Sequence, residues 1–222
     1  MKKRGWFEAY RNIGVSDGMP EYEKRSYYIF NVLIAIVMGI TLVYAFVPYF
    51  VLHIQHKALN NIINWSLFSG YLSCILLAYW NKPLAARLVF TTLVQIHIFI
   101  FTLLIGWDIG NYLFYLALPA LPYVIFYNNR FGVFYGFFTG LIGFCASYYV
   151  KKTGFRLVNV TPEMYDGLFL LAFTSTFIVI LLVVKLFFKL SRHSEERLNL
   201  EKQRSERLLL NILPGDIAQR LQ

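Results

Sequence analysis

Apolar residues in this chain fall into six nearly uncharged blocks, at 27–52, 62–80, 84–107, 112–127, 131–150 and 167–184, separated by short polar or charged stretches. Most blocks approach or exceed the ~20 residues that a helix rising 1.5 Å per residue needs to cross ~30 Å of hydrocarbon. The runs lack the strict apolar–polar alternation of barrel strands, and a backbone in lipid must satisfy its own hydrogen bonds, so the pattern predicts helices. The expected fold is an all-α membrane protein: a six-helix transmembrane bundle followed by a long cytoplasmic exit helix of the dimeric coiled-coil type. The fourth block is short and holds Pro119 and Pro122, which predict a kink there.

Polar signals divide the rest of the chain. Residues 1–25 are charged and aromatic, and Gly18 and Pro20 interrupt any continuous helix, which predicts a short amphipathic stretch over 6–13 lying at the membrane surface. The domains expected are therefore 1–25 as a cytoplasmic amphipathic segment, 26–184 as the membrane domain, 185–213 as a cytoplasmic helix and 214–222 as a connector. The first apolar block is too long, and begins too late, for a cleavable signal peptide.

Composition supports the membrane assignment. Of 222 residues, 58% are hydrophobic and only 15% charged, against about 25% charged in an ordinary soluble domain. The net charge of +9 comes mainly from the first 25 positions and from those after 184. That distribution suits anionic headgroups and argues against nucleic acid, which would need a basic stripe interleaved with exposed aromatics. Cys74 and Cys145 both lie inside apolar blocks and read as small buried residues without a disulfide.

With the N-terminus inside, the cytoplasmic set of basic residues comprises Lys2, Lys3, Arg4, Arg11, Lys24, Arg25, Lys82, Arg87, Arg130 and those from Lys185 onward. The outside set is only Lys57, Lys151, Lys152 and Arg156. The bias predicts both termini in the cytoplasm, with the outer loop 151–162 as the one segment that argues against it.

Downstream of the sixth block the chain contains no Gly or Pro until Pro214, so a helix can continue past the apolar segment. Its best seam is Leu190, Ser194, Leu198, Glu201, Ser205, Leu208 and Ile212, spaced by fours and threes as in a heptad but half polar. Such a seam pairs without locking one register. The alternative is a solvated helix held by pairs such as Arg197 with Glu201.

The segment Leu208-Leu209-Leu210-Asn211-Ile212-Leu213-Pro214, with Ile217-Ala218 and Arg220-Leu221 beyond it, resembles the connector that precedes the catalytic domain in bacterial class III adenylate and guanylate cyclases. Pro214 and Gly215 stop the long helix, and Asp216 can cap a short one after it. The resemblance covers about fourteen residues. It implies a receptor or anchor domain that dimerises and regulates a cyclase converting ATP to cyclic AMP in the parent protein. The family's metal-binding aspartates and other catalytic residues have no counterpart here, so no residue is assigned catalysis. Mg or Mn is expected only in a catalytic domain beyond position 222, and the implied location is a bacterial inner membrane. The implied partners are a second copy of the chain, membrane lipid and an apolar small molecule entering among the helices. Leu190, Leu198, Glu201, Ser205, Leu208, Ile212 and Pro214 would carry the signal. Other readings are the sensor region of a histidine kinase, which His193 does not favour for want of a phosphoacceptor context, and a small six-helix transporter.

Few ionisable groups lie at membrane depth. His97, near the middle of the third block, is a candidate ligand contact, or else a neutral histidine hydrogen-bonded to a neighbouring helix. His53 and His56 share one helical face and, with Asp108, form a candidate metal set. Lys185 and Lys189 read as snorkelling side chains. Gly136 and Gly140 form a GxxxG that predicts a close-packing face.

Overall fold

The computed structural model describes residues 5–16, 18–50, 57–126, 129–158 and 161–212. Among these residues every regular element is helical. In chain order they are α1 (Trp6–Arg11), α2 (Glu21–Phe50), α3 (Lys57–Tyr79), α4 (Pro83–Ile105), two 3-10 turns (Trp107–Ile109 and Asn111–Leu113), α5 (Phe114–Ala117), α6 (Leu121–Ile125), α7 (Arg130–Thr153) and α8 (Pro162–Ile212). The chain divides into two compact units, 1–183 and 184–222, and the helical bundle belongs to the first.

Among the described residues five helices carry stretches long and apolar enough to cross a membrane: Lys24–Phe46, Ala58–Tyr79, Pro83–Ile105, Arg130–Thr153 and Met164–Phe188. The protein is thus an all-helical integral membrane protein by the length and composition of its helices. Large apolar side chains cover the outside of α7 and α8, among them Phe131, Phe134, Leu170 and Phe188, each more than 60% exposed. In water such a surface would be costly; in a bilayer it is the expected outer face.

The fourth apolar block departs from the six-helix expectation. Instead of one kinked helix, the second 3-10 turn, α5 of four residues and α6 of five occupy it, and the first 3-10 turn precedes it. Gly106 at φ 107° and Gly110 at φ 79° turn the backbone through the left-handed region, which L-residues with a Cβ rarely adopt. Further on, Pro119 lies between α5 and α6, and Pro122 sits in the first turn of α6, where its missing N–H breaks no bond.

The packing of α4 against α7 shows where this broken segment goes. The Thr92 and Tyr135 hydroxyls meet at 2.6 Å, Gly136 lies beside Thr91 and Gly140 beside Gln95. At the far end the Leu104 carbonyl accepts the N–H groups of Leu157 and Val158, just past α7, at 3.0 and 2.8 Å. Residue numbers rise together, so α4 and α7 run parallel. The chain between Ile105 and Arg130 therefore returns along the pair. Trp107 lies by Tyr148, Tyr115 by Ser147, Pro122 by Gly136 and Phe126 by Gly132.

α1 is shorter than the 6–13 stretch expected, and it is docked on the bundle. Asn31, fully buried in α2, donates from its side-chain amide to the carbonyls of Arg11 and Ile13, both at 3.1 Å, and of Tyr10 at 3.4 Å. It thereby caps carbonyls that the end of a helix leaves without partners. The Tyr10 hydroxyl donates back to the Asn31 carbonyl at 2.6 Å. Burial pushes that hydroxyl up to about 12, so it keeps its proton at neutral pH. Arg11 lies over the Tyr28 ring, 4.8 Å from its centroid.

α8 contributes to both units. Within the first, Leu168, Ala172, Thr176 and Val183 are buried on one face. Within the second, Leu198, Glu201, Ser205 and Leu208 are exposed.

Candidate functional site

The broken segment, α2, α3, α4 and α8 together enclose a cavity of about 70 Å³. Its walls are almost entirely apolar: Val37 and Ile40 from α2, Val94, Ile98 and Phe101 from α4, Leu118 and Leu121 from the broken segment, and Val179 from α8. Polar groups reach it at few points. His97 lines it from α4, with its Nδ1 3.0 Å from the Tyr71 hydroxyl. Whichever tautomer is present, this pair occupies one ring nitrogen, and the Phe101 ring lies 5.2 Å from the imidazole. Tyr44, also a lining residue, carries its buried hydroxyl beside the Ser175 side chain of α8. The cavity exceeds the ~10–15 Å³ that one water needs.

Beside the cavity, Gly132, Gly136, Gly140 and Gly143 follow one another on the face of α7 turned to α4 and to the broken segment, and Ser147 continues the row. A Cβ added at Gly136 would lie 2.6 Å from Pro122 Cγ, and one at Gly143 2.9 Å from the Tyr115 hydroxyl. The GxxxG of the sequence is thus a close-packing face, spent inside the chain. Gln95 lies buried against the row, and its Oε1 has no hydrogen-bond partner.

Of the candidate metal- and ligand-binding residues, His97 and Asp108 fall among the described ones and stand apart. His97 is in the cavity wall and makes its hydrogen bond to Tyr71 of the neighbouring helix α3. Asp108 is exposed in the first 3-10 turn, whereas His53 and His56 fall outside the described residues. Among the described residues no group of three or more His, Cys, Asp or Glu could hold a metal ion. Leu190 and Ile212 lie in α8, as do Leu198, Glu201, Ser205 and Leu208; Pro214 lies outside the described residues. Cys74 is buried as expected, but Cys145 is exposed, because it sits on the face of α7 opposite the glycine row.

Sequence reasoning weighed the ionisable groups at membrane depth and passed over the neutral ones. Asn31, the Tyr71–His97 contact and the Thr92–Tyr135 and Tyr115–Ser147 pairs tie the interior together, and their signal was present as polar residues inside apolar blocks. Compared with protein-family models the chain matches none, and no curated protein sequence matches it.

Proposed function

We propose that this chain is the membrane domain of a class III nucleotide cyclase, which pairs with a second copy and regulates catalytic domains that follow it. The observation that carries the reading is the sequence Leu208-Leu209-Leu210-Asn211-Ile212-Leu213-Pro214 with Ile217-Ala218 and Arg220-Leu221 behind it, at the end of a helix of 51 residues. A helix without Gly or Pro from Leu168 to Ile212 can pass a change in packing along its length. The seam Leu190, Ser194, Leu198, Glu201, Ser205, Leu208, Ile212, with polar residues at three of its seven positions, suits an element with two registers of similar stability. In this reading the broken segment adds a sixth crossing to the five of the continuous helices, both termini share one side, and the distribution of basic residues favours the cytoplasmic face of a bacterial inner membrane, with Pro214 leading into the catalytic domain. That domain would bring Mg or Mn and turn ATP into cyclic AMP; this chain supplies anchoring, pairing and a place for an apolar ligand near His97.

A second reading, a small transporter, is favoured by one observation: crossings interrupted by Gly and Pro are how transporters build midplane sites. Against it, the cavity is lined by no Asp, Glu, Lys or Arg.

The test is a fusion of the full chain to a class III catalytic domain after Gln222, in wild-type form and with Glu201→Leu and Ser205→Leu. Leucine at both positions should tighten pairing, fix cyclic nucleotide output near one level and remove most of its response to stimulus, since a ligand biases only an equilibrium that is not already locked. An unchanged response range despite tighter pairing would refute the seam as the signal path.

A further inference from the structure

A second, larger cavity of about 460 Å³ lies between the broken segment and α7. Unlike the His97 cavity it opens outward: Leu116, Phe137 and Leu141 line it and are 69%, 50% and 56% exposed. Gly136 and Gly140 form its floor, so the small residues that let α7 approach α4 also leave room here. From Gly136 to Phe144 its lining spans about 12 Å along α7 at 1.5 Å per residue. It has the dimensions and polarity of a groove for an acyl chain.

At the upper end Trp107 lines the groove, stacked on Tyr112 with centroids 4.2 Å apart. The Lys151 ammonium lies 5.3 Å from the Trp107 centroid and 5.9 Å from that of Tyr148. Lys152, in the last turn of α7, and Arg156, just past its Gly154 cap, are exposed, and Arg156 donates to the Tyr165 hydroxyl at 2.7 Å. These are the basic residues that contradict the charge bias of the remaining loops. Orientation therefore does not account for them, and their position above an apolar groove does: cation at the headgroup level, aromatic collar below it, acyl-sized slot toward the midplane.

We propose that this groove is a binding site for an anionic phospholipid of the surrounding leaflet, its phosphate at Lys151 and Arg156 and one acyl chain along Gly136–Phe144. A phospholipid is favoured over a free amphiphilic acid because the bilayer presents it at the open side of the groove at high local concentration, and occupancy follows mass action. The site deepens the proposal of a lipid partner, but its binding can be read without any cyclase output.

The test uses Trp107 as reporter in the full chain carrying Trp6→Phe, Trp65→Phe and Trp80→Phe, reconstituted in phosphatidylcholine vesicles. Brominated-chain phosphatidylglycerol, phosphatidylcholine and a fatty acid are titrated in, and quenching of Trp107 emission is followed. Phosphatidylglycerol should reach half-quenching at a mole fraction at least about fivefold below phosphatidylcholine, the factor that one basic residue near an anionic surface contributes. Lys151→Gln with Arg156→Gln, both exposed, should bring that ratio close to one. Leu116→Phe with Leu141→Phe should fill the groove and weaken quenching by both lipids while leaving the fold intact. Equal quenching by the two phospholipids, or a preference that survives loss of both basic side chains, would overturn the site. Stronger quenching by the fatty acid than by phosphatidylglycerol would overturn the phospholipid as occupant. None of these outcomes bears on whether the fused chain regulates a cyclase, so the two proposals fail separately.

Discussion

α4 and the segment that follows it travel the same distance in opposite directions and are built differently. α4 is a single helix of 23 residues, whereas the return path uses two 3-10 turns and helices of four and five residues. Both are strongly apolar, so hydropathy does not separate them. Backbone accounting does. An unbroken helix satisfies its own N–H and C=O groups and can present any face to lipid, while a broken one leaves groups that only neighbouring protein can shield. The return path accordingly turns much of itself inward: Ile109, Asn111, Tyr115, Ala117, Leu121, Val124, Ile125 and Phe126 are buried, while Leu116 and Tyr123 face outward. The regular helix α7 next to it exposes Phe131, Phe134 and Phe138. Irregularity is tolerated here because α7 gives up side chains, through its glycine row, to bring its backbone close.

The largest effect that can break this comparison is one of sidedness. In a background with Cys74→Ala and Cys145→Ala, Asp108→Cys and Arg130→Cys mark the two ends of the return path. If it crosses the bilayer, an impermeant thiol reagent labels one from outside and the other only after permeabilisation. Labelling of both from one side would make the segment a re-entrant loop and leave five crossings.

Next comes the glycine row. Gly136→Val should cost about 1–3 kcal/mol through overpacking against the rigid Pro122 ring. Gly140→Ala should cost much less, because its nearest neighbour is the end of the Gln95 side chain at 3.3 Å. Thermal unfolding in detergent would separate the two; equal losses would show that the return path does not depend on a close approach at Gly136.

Asn31 offers a contrast within an unbroken helix, since its side chain serves α1 and leaves its own helix untouched. Asn31→Leu should release α1 while leaving the bundle folded, at about 1–3 kcal/mol for the orphaned carbonyls if they stay dry. Faster proteolysis at Arg11 with an unchanged bundle would agree. Unchanged protection would mean that Arg11 over Tyr28 holds the segment without Asn31.

The smallest effect is expected at the His97 cavity, where Tyr71→Phe removes one hydrogen bond and should cost about 0.5–1.5 kcal/mol. A much larger loss would show that the pair supports the return path as well as the cavity.

Several features were legible from the residues alone. The positions of α2, α3, α4, α7 and α8 follow from lengths of apolar sequence, because crossing a bilayer sets a minimum length and excludes charge from it. The interruption around Pro119 and Pro122 was also written locally, since proline acts through its own backbone, whereas the third apolar block runs on through Gly106 to Trp107, past the end of α4. What replaces a helix once proline breaks it was not, because that depends on which neighbour can approach. Only the tertiary structure decided that α4 packs against α7, that Gly136 receives Pro122 rather than a second chain, and that His97 meets Tyr71 across 26 residues of sequence. In a membrane the outer and inner faces of a helix are almost equally apolar, so no hydrophobic stripe announces which side turns inward. Neighbours are chosen by shape and by a few hydrogen bonds, and those become visible only when the helices stand side by side.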